Sequence, residues 1–292
     1  DEFQYAKDGG KNLKYIYDRH NIKIIISGSS ASELSIQGIK FLVGRVFVFN
    51  LYPLSFEEYL NYKDKELYRL YQKDSLSSAI IERINKYFDE FCIYGGYPKV
   101  ALANDAEEKQ IVLRNIYNTY FLKEVKEIMN IPDDYRLSRL LNALALQIGN
   151  MVNYAEISTL TNTQNKELLG SFNTLEKTFI IIRSTPFHTN KRTEIAKAPK
   201  IFLLDNGLRN SVINDFQPLH LRQDRGALYE NFTASEILKA GLPVQYWRTK
   251  SKAEVDFVIK KGSDIIPIEV KSGKPHLTRS LHSFIEKYKP KK

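Results

Sequence analysis

Cysteine is almost absent from the sequence, which has a single residue of this type, Cys92, in 292 positions. One cysteine cannot build an internal disulfide framework, and it cannot supply the several thiolates of a cysteine-based zinc site. Both classes of cross-linked fold are therefore excluded, and we expect the protein to lie in a reducing cytoplasm.

Long apolar runs are also missing. A membrane-spanning helix needs roughly 18 consecutive apolar residues, whereas the longest candidates here, such as residues 22–26 and 47–49, have the length of strands. The N-terminus opens on acidic residues and has no apolar signal-peptide segment. We therefore expect no membrane partner. The first residue is Asp1 rather than Met, and we expect the sequence to be a piece of a longer chain.

The net charge of +9 is absent from the first part of the chain. Residues 1–130 contain 18 basic and 18 acidic residues, whereas residues 131–292 contain 25 and 16. A basic surface attracts polyanions, so this partition predicts that the second part binds nucleic acid, most simply DNA. The alternative is a lysine-rich surface that is only solvated. A hydrophobic content of 43% predicts two or three folded domains rather than disorder.

The first segment contains two runs that are typical of buried strands. Residues 22–27 are β-branched and end at Gly28-Ser29-Ser30, as in a parallel strand that delivers polar groups to a ligand crevice. A second strand is predicted at residues 46–51, after Gly44-Arg45. Ser55 is then placed to be the N-cap of a helix.

In their order, these elements resemble the prokaryotic AAA-superfamily ATPases in which the ATPase core precedes a conserved domain of unknown function. The resemblance is carried by the motifs Asp1-Glu2-x-Gln4, Ile24-Ile25-Ile26-Ser27-Gly28, Gly44-Arg45 and Leu51-x-Pro53-Leu54-Ser55-Phe56. It implies an α/β fold that begins with a partial P-loop AAA-type core and its lid helices, in residues 1–90.

The resemblance also implies roles in ATP hydrolysis for residues of this segment. Asp1 would help to hold Mg²⁺, and Glu2 would polarise the attacking water. Ser27 and Ser29 lie where the family senses the γ-phosphate, and Arg45 is a candidate for stabilising transition-state charge. The alternatives are a solvated acidic terminus and a surface arginine. These 292 residues contain no Gly-x-x-x-x-Gly-Lys-Ser/Thr phosphate loop, so we expect this chain to bind ATP weakly.

The middle of the chain, residues 91–205, is predicted to be helical and to contain a winged helix. After Gly95-Gly96 and a long helix, the pattern predicts helices at 137–148, 154–160 and 166–178 and strands at 179–182 and 200–204. In a DNA-binding winged helix, the third helix enters the major groove and the wing contacts phosphate. The predicted DNA-binding residues of the wing are Lys191, Arg192 and Lys197. The third helix has no strong positive face, and a protein-docking module is the alternative.

Residues 206–292 carry a pattern of carboxylates and a lysine. After a helix over residues 226–240, strands are predicted at 244–248, 254–259 and 265–271. Asp256, a hairpin near residues 261–264, and then Glu269-x-Lys271 resemble restriction-endonuclease-like metal sites. Strand residues two apart share a face, so we expect Glu269 beside Lys271, Asp256 opposite them and Glu230 approaching from the helix.

This last pattern predicts a mixed α/β, nuclease-like domain. Asp256 and Glu269 would bind Mg²⁺ through oxygen, and Lys271 would assist a water that attacks phosphate. The alternative for Glu269 and Lys271 is an exposed ion pair. Together, the patterns predict an ATP-driven AAA-type switch whose C-terminal module binds DNA. A DNA nuclease gated by the ATPase and a non-catalytic protein-interaction adaptor are the alternative functions.

Overall fold

The computed structural model describes residues 3, 6–20, 22–28, 42, 44–73, 75–129, 134–187, 198–262, 264–274 and 276–290. Several residues with predicted roles lie outside these ranges: Asp1, Glu2, Ser29, Lys191, Arg192 and Lys197. The first part of the chain contains helix α1 (Gly9–Arg19), but residues 22–27 and 46–51 do not form the predicted strands.

Within the described residues, neither apolar run pairs with a neighbouring strand. Their side chains are largely exposed, with Ile25 81%, Phe47 90% and Phe49 88% accessible. The strand preference of β-branched and aromatic residues is realised when a neighbouring strand supplies hydrogen bonds and packing. A backbone hydrogen bond from Phe3 N to Ser27 O, 3.0 Å long, links the first run to the start of the chain. One such bond does not make a sheet.

A helical layer follows, formed by α2 (Phe56–Lys63), α3 (Lys65–Tyr71), α4 (Ser78–Tyr94), α5 (Pro98–Leu102), α6 (Ala106–Ile116), a π-helical stretch (Tyr117–Val125) and α7 (Lys126–Met129). Ser55 caps α2 as predicted, because its hydroxyl accepts from Glu58 N while Ser55 N donates to the Glu58 carboxylate. None of the helices in the described residues combines the length and apolar character that a membrane crossing requires.

The next unit contains three helices and two antiparallel strands: α8 (Asp134–Leu146), α9 (Tyr154–Thr161), α10 (Asn165–Lys177), β1 (Ile181–Pro186) and β2 (Lys200–Leu203). The register of the strands runs from Ile181 opposite Leu203 to Ser184 opposite Lys200. An isolated bridge between Met151 and Lys200 adds the α8–α9 loop to the hairpin. The predicted order of helix, helix, helix and hairpin is therefore confirmed.

The remaining elements are α11 (Asn206–Val212), a 3₁₀ turn (Leu219–Leu221), α12 (Arg225–Lys239), β3 (Gln245–Arg248), β4 (Glu254–Val255), β5 (Phe257–Lys261), β6 (Asp264–Ile268) and α13 (Arg279–Tyr288). β1 pairs with β3 in parallel, which gives a four-stranded sheet in the order β2-β1-β3-β4, and β5 and β6 form a separate hairpin. One sheet therefore contains strands from both sides of residues 205/206.

The C-terminal strands are shorter than predicted because of Asp256. The run predicted as one strand at residues 254–259 breaks there, since β4 pairs with β3 while β5 pairs with β6. The ladder ends at Ile268 rather than residue 271, because the Asp256 carboxylate accepts a hydrogen bond from Val270 N, 2.8 Å away. A side chain thus takes the acceptor position that a strand carbonyl would fill. The predicted hairpin is confirmed, with Lys261 opposite Asp264.

A buried polar junction joins α4, α5 and α11. The Asp205 carboxylate caps α11 by accepting from Leu208 N (2.9 Å), and it also accepts from Gly96 N (2.7 Å). The Asn210 amide donates to Ile93 O at 2.8 Å. Buried backbone groups need such partners, so this junction fixes how the helical layer packs against the C-terminal half.

Candidate functional site

Acidic and lysine side chains from α12 and from four other parts of the fold converge. We call them the acid–lysine cluster, which consists of Glu230 on α12, Lys200 on β2, Glu254 on β4, Asp256 at the β4–β5 bend, and Glu269 and Lys271 after β6. The predicted residues Glu230, Asp256, Glu269 and Lys271 are therefore brought together, and Lys200 and Glu254 join them.

Glu269 and Lys271 form an ion pair, as in the alternative interpretation of this motif, and they lie just beyond the end of β6 rather than in the predicted strand. Lys271 Nζ lies 2.8 Å from a Glu269 carboxylate oxygen, and the Glu269 side chain is only 10% exposed. The hydrogen bond with Glu269 raises the pKa of Lys271 above its ordinary value, although burial opposes this. Lys271 is therefore a cation at neutral pH, which favours charge stabilisation over proton abstraction.

Asp256 is held between donors and other carboxylates. Burial is the main cause that raises its pKa, and the hydrogen bond from Val270 N lowers it. The negative charge of Glu269 raises it further, whereas Lys200 and Lys271 lower it. The effect of Glu269 on Asp256 indicates that the two carboxylates lie in the same neighbourhood, beside the open end of the β5–β6 hairpin.

Glu230 is the most strongly perturbed carboxylate of the cluster. Burial, and then the charge of Asp256, raise its pKa from 4.5 to about 7, while Lys200 and Lys271 act in the opposite direction. The α8–α9 loop encloses it, because a Cβ added to Gly149 would lie 3.1 Å from its carboxylate. At neutral pH, Glu230 therefore exchanges between its charged and neutral forms.

Lys200 is a buried member that sequence analysis missed. Its side chain is 4% exposed, and its ammonium lies 2.5 Å from a Glu254 carboxylate oxygen and 5.6 Å from the centre of the Tyr246 ring. The other oxygen of Glu254 lies 3.0 Å from the Arg248 guanidinium. One sequence signal could have identified Lys200: it is a lysine at the start of an otherwise apolar strand. A lysine in such a position needs a buried partner.

The donor chemistry of the cluster suits a hard cation, but its geometry does not make a metal centre. Mg²⁺ prefers carboxylate oxygens, and the cluster contains four carboxylates. Among the residues that the structure describes, however, no group of three or more His, Cys, Asp or Glu side chains is arranged to hold a metal ion. Asp256, Glu269 and Glu254 are engaged by a backbone amide, Lys271 and Lys200, respectively. The predicted metal ligands are thus already partnered within the chain.

Two of the predicted nucleotide-site residues lie in the described part of the chain. Ser27 and Arg45 line one cavity of about 940 Å³. The hydrogen bond from Phe3 N to Ser27 O places the predicted sensor beside the residue that follows Asp1 and Glu2 in sequence. Arg45 pairs with Asp18 on α1, so a role toward phosphate would require that this contact open.

The predicted recognition helix, α10, is more basic in the folded chain than its sequence suggests. Glu167 is paired with Arg136 of α8 at 3.1 Å, and Glu176 is paired with Arg183 of β1 at 3.2 Å. Lys166 and Lys177 of the same helix are exposed. Because neighbouring arginines compensate both acids, the surface around α10 has a net positive charge.

Comparison with known protein families gives three matches in succession along the chain. Residues 1–60 match an AAA domain, residues 85–219 match a domain of unknown function (DUF8612), and residues 225–292 match another (DUF4143). The matches support a protein of the AAA superfamily that has a C-terminal domain of unknown function.

The similar curated proteins come from distant prokaryotes. An uncharacterized protein of Haemophilus influenzae is 29% identical over 301 residues, covering 99% of this chain and 70% of the relative. Uncharacterized proteins of Methanocaldococcus jannaschii and Mycobacterium tuberculosis are each 24% identical, and the match covers 89% and 98% of this chain. The chain spans 57% and 61% of the lengths of those two relatives. No solved structure matches the chain.

Proposed function

We propose that this chain is part of a cytoplasmic, ATP-binding AAA-type switch protein whose C-terminal half binds duplex DNA. The match of residues 1–60 to an AAA domain supports the proposal that the protein binds a nucleotide. In this proposal, ATP and Mg²⁺ are bound with the participation of Asp1, Glu2, Ser27, Ser29 and Arg45. The DNA-binding part of the proposal rests on the unit of three helices and an antiparallel hairpin, residues 134–203.

The contacts of that unit support a duplex as its ligand. In winged helices that bind DNA, the third helix reads the major groove, and neighbouring basic residues contact phosphate. α10 exposes Lys166 and Lys177, and its two acids are paired with arginines. The surplus of basic over acidic residues in positions 131–292, 25 against 16, adds an attraction that does not depend on sequence.

The wing provides the direct test. Replacing Lys191, Arg192 and Lys197 together with alanine is expected to weaken duplex binding and to flatten its salt dependence. Each phosphate contact contributes a slope of about 0.9 in a plot of log affinity against log salt, so the loss of three contacts should reduce the slope by roughly 2–3. Fluorescence anisotropy of a labelled duplex over a salt series measures both quantities.

A matched variant separates specific contacts from net charge. Lys65, Lys73 and Lys86 are exposed in the charge-balanced part of the chain, and their replacement by alanine removes the same charge. This control is expected to bind the duplex as the wild type does. An equal loss in both triple variants would contradict a role for the wing. If the wild type does not bind duplex even at low salt, the adaptor function is favoured.

A DNA nuclease is the second candidate, because Glu230, Asp256, Glu269 and Lys271 converge. The residues themselves can do two things: Lys271 can stabilise negative charge on a phosphate, and Glu230 can give or take a proton near neutral pH. Cleavage of supercoiled plasmid in Mn²⁺ that Asp256→Asn and Lys271→Met both abolish would establish this activity. If cleavage persists in either variant, a contaminating nuclease is responsible.

A further inference from the structure

Lys200 places a buried positive charge beside the carboxylates of the acid–lysine cluster. A lysine that is 4% exposed is costly to bury unless its charge is compensated, and Glu254 supplies that compensation at 2.5 Å. The Tyr246 ring covers the ammonium from another direction. Lys200 is therefore a buried lysine whose charge is compensated by Glu254 and covered by Tyr246.

The positive charge of Lys200 also acts on carboxylates other than its direct partner. It lowers the pKa of Glu230 and of Asp256 against the effect of burial. Lys271 acts on the same two groups from the opposite end of the cluster. Two lysines of the chain itself thus offset part of the negative charge that would attract a divalent metal.

We propose that Lys200 is a built-in cation that takes the place of a divalent metal in the acid–lysine cluster and keeps metal out of it. The inference goes beyond the second candidate function and limits it, because a cluster that Lys200 holds closed would not take up the Mn²⁺ that such cleavage uses. Lys200 is the first residue of β2, the strand that returns from the predicted wing. Lys200 therefore follows Lys197, a residue proposed to contact DNA, by only three positions in sequence.

The test is to remove the ammonium and measure cation binding. Lys200→Met keeps the length and apolar stem of the side chain, and Arg248 still pairs with Glu254. Tb³⁺, a hard cation that prefers oxygen ligands, is the probe. Trp247 is the single tryptophan, and its strand partner Val255 precedes Asp256, so it can sensitise Tb³⁺ luminescence at the cluster. The variant is expected to bind Tb³⁺ roughly ten- to a hundredfold more tightly than the wild type.

Two controls distinguish this mechanism from a general effect of charge. Lys287 lies 5.8 Å from the centre of the Trp247 ring, so Lys287→Met removes a charge near the reporter and should leave Tb³⁺ affinity unchanged. The double variant K200M/E254Q restores the net charge of the cluster and should return the affinity toward the wild-type value. Equal gains in K200M and K287M would overturn the proposal.

If K200M does not fold, the wild-type protein alone can still test whether the cluster excludes divalent metal. Calorimetric titration with Mn²⁺ should show no micromolar binding to the wild type, and thermal melting reports on the folding of each variant. Micromolar Mn²⁺ binding that Glu269→Gln abolishes would contradict a closed cluster. These experiments contain no DNA, so their failure would leave the DNA-binding proposal standing, and the reverse also holds.

Discussion

Replacing Gly207 with alanine is expected to destabilise the protein by roughly 3 kcal/mol or more, whereas the same replacement at Gly170 is expected to stabilise it by about 0.5–1 kcal/mol. Both glycines lie within helices, α11 and α10. A Cβ on Gly207 would overlap the backbone carbonyl of Tyr94, which cannot move independently of α4. A Cβ on Gly170 would have no atom within 4 Å.

The large effect at Gly207 arises because the buried polar junction depends on this close approach. Any displacement of α11 from α4 would lengthen the hydrogen bonds from Gly96 N to Asp205 and from Asn210 to Ile93 O, which are 2.7 and 2.8 Å long. Buried polar groups that lose a partner cost about 1–3 kcal/mol each. Urea unfolding measures both variants, and a Gly207→Ala protein as stable as the wild type would show that the helices do not approach so closely.

The second large effect is a loss of stability with rising pH that depends on Glu230. The pKa of Glu230 is about 7 in the folded chain against an ordinary value of 4.5, so the folded state binds this proton more tightly than the unfolded state. Its contribution to stability is therefore greatest below about pH 4.5 and is lost as the pH rises to about 7. The shift corresponds to roughly 2–3 kcal/mol above neutral pH.

Glu230→Gln isolates this contribution because it imitates the protonated form. The variant is expected to be more stable than the wild type at pH 8 by roughly 2–3 kcal/mol, with a difference that shrinks toward pH 5. Glu82→Gln is the control, since Glu82 is 74% exposed and pairs with Lys86 at 3.4 Å on the surface; its effect should be small at every pH. Thermal melting or urea titration at several pH values tests this, and a difference that does not change with pH would refute the assignment.

Elements with strong local signals were predictable from the sequence. The helices α8, α9, α10 and α12 have apolar periodicity. Asn153 caps α9, because its side-chain oxygen accepts a hydrogen bond from Glu156 N, 3.3 Å long. The β5–β6 hairpin has its own turn signal in Lys261-Gly262-Ser263-Asp264. These signals act over a few residues, so a single sequence contains them.

Features that depend on distant partners were not predictable. The runs at residues 22–27 and 46–51 have the composition of strands, but a ladder also requires a neighbour that composition does not specify. The parallel pairing of β1 with β3 joins Thr185 to Gln245 across strand β2, helices α11 and α12 and the segments that connect them. The break at Asp256 depends on a hydrogen bond with Val270 N, which no pattern of hydrophobicity reveals.

The candidate site divides in the same way. Glu269 and Lys271 are two residues apart, so their sequence spacing predicted that they lie close together, although both follow the end of β6. Lys200 on β2 and Glu254 on β4 come together only in the folded chain, because their strands lie far apart in sequence. The compensation of Glu167 by Arg136 likewise depends on the packing of α10 against α8. The charges in the sequence of α10 alone therefore underestimated how basic the surface around this helix is.

One sheet contains strands from before and after residues 205/206, and this limits how recombination can separate the two segments. A recombination event that moved only the coding sequence for residues 206–292 would deliver β3 without β1, leaving the backbone groups of its edge without partners. The hydroxyl of Tyr246 would also lose its acceptor, Ala198 O at 2.7 Å. Unpaired strand edges promote aggregation. The sequences matching at residues 85–219 and 225–292 should therefore be inherited together, and a natural protein with the second alone would need a substitute for β1.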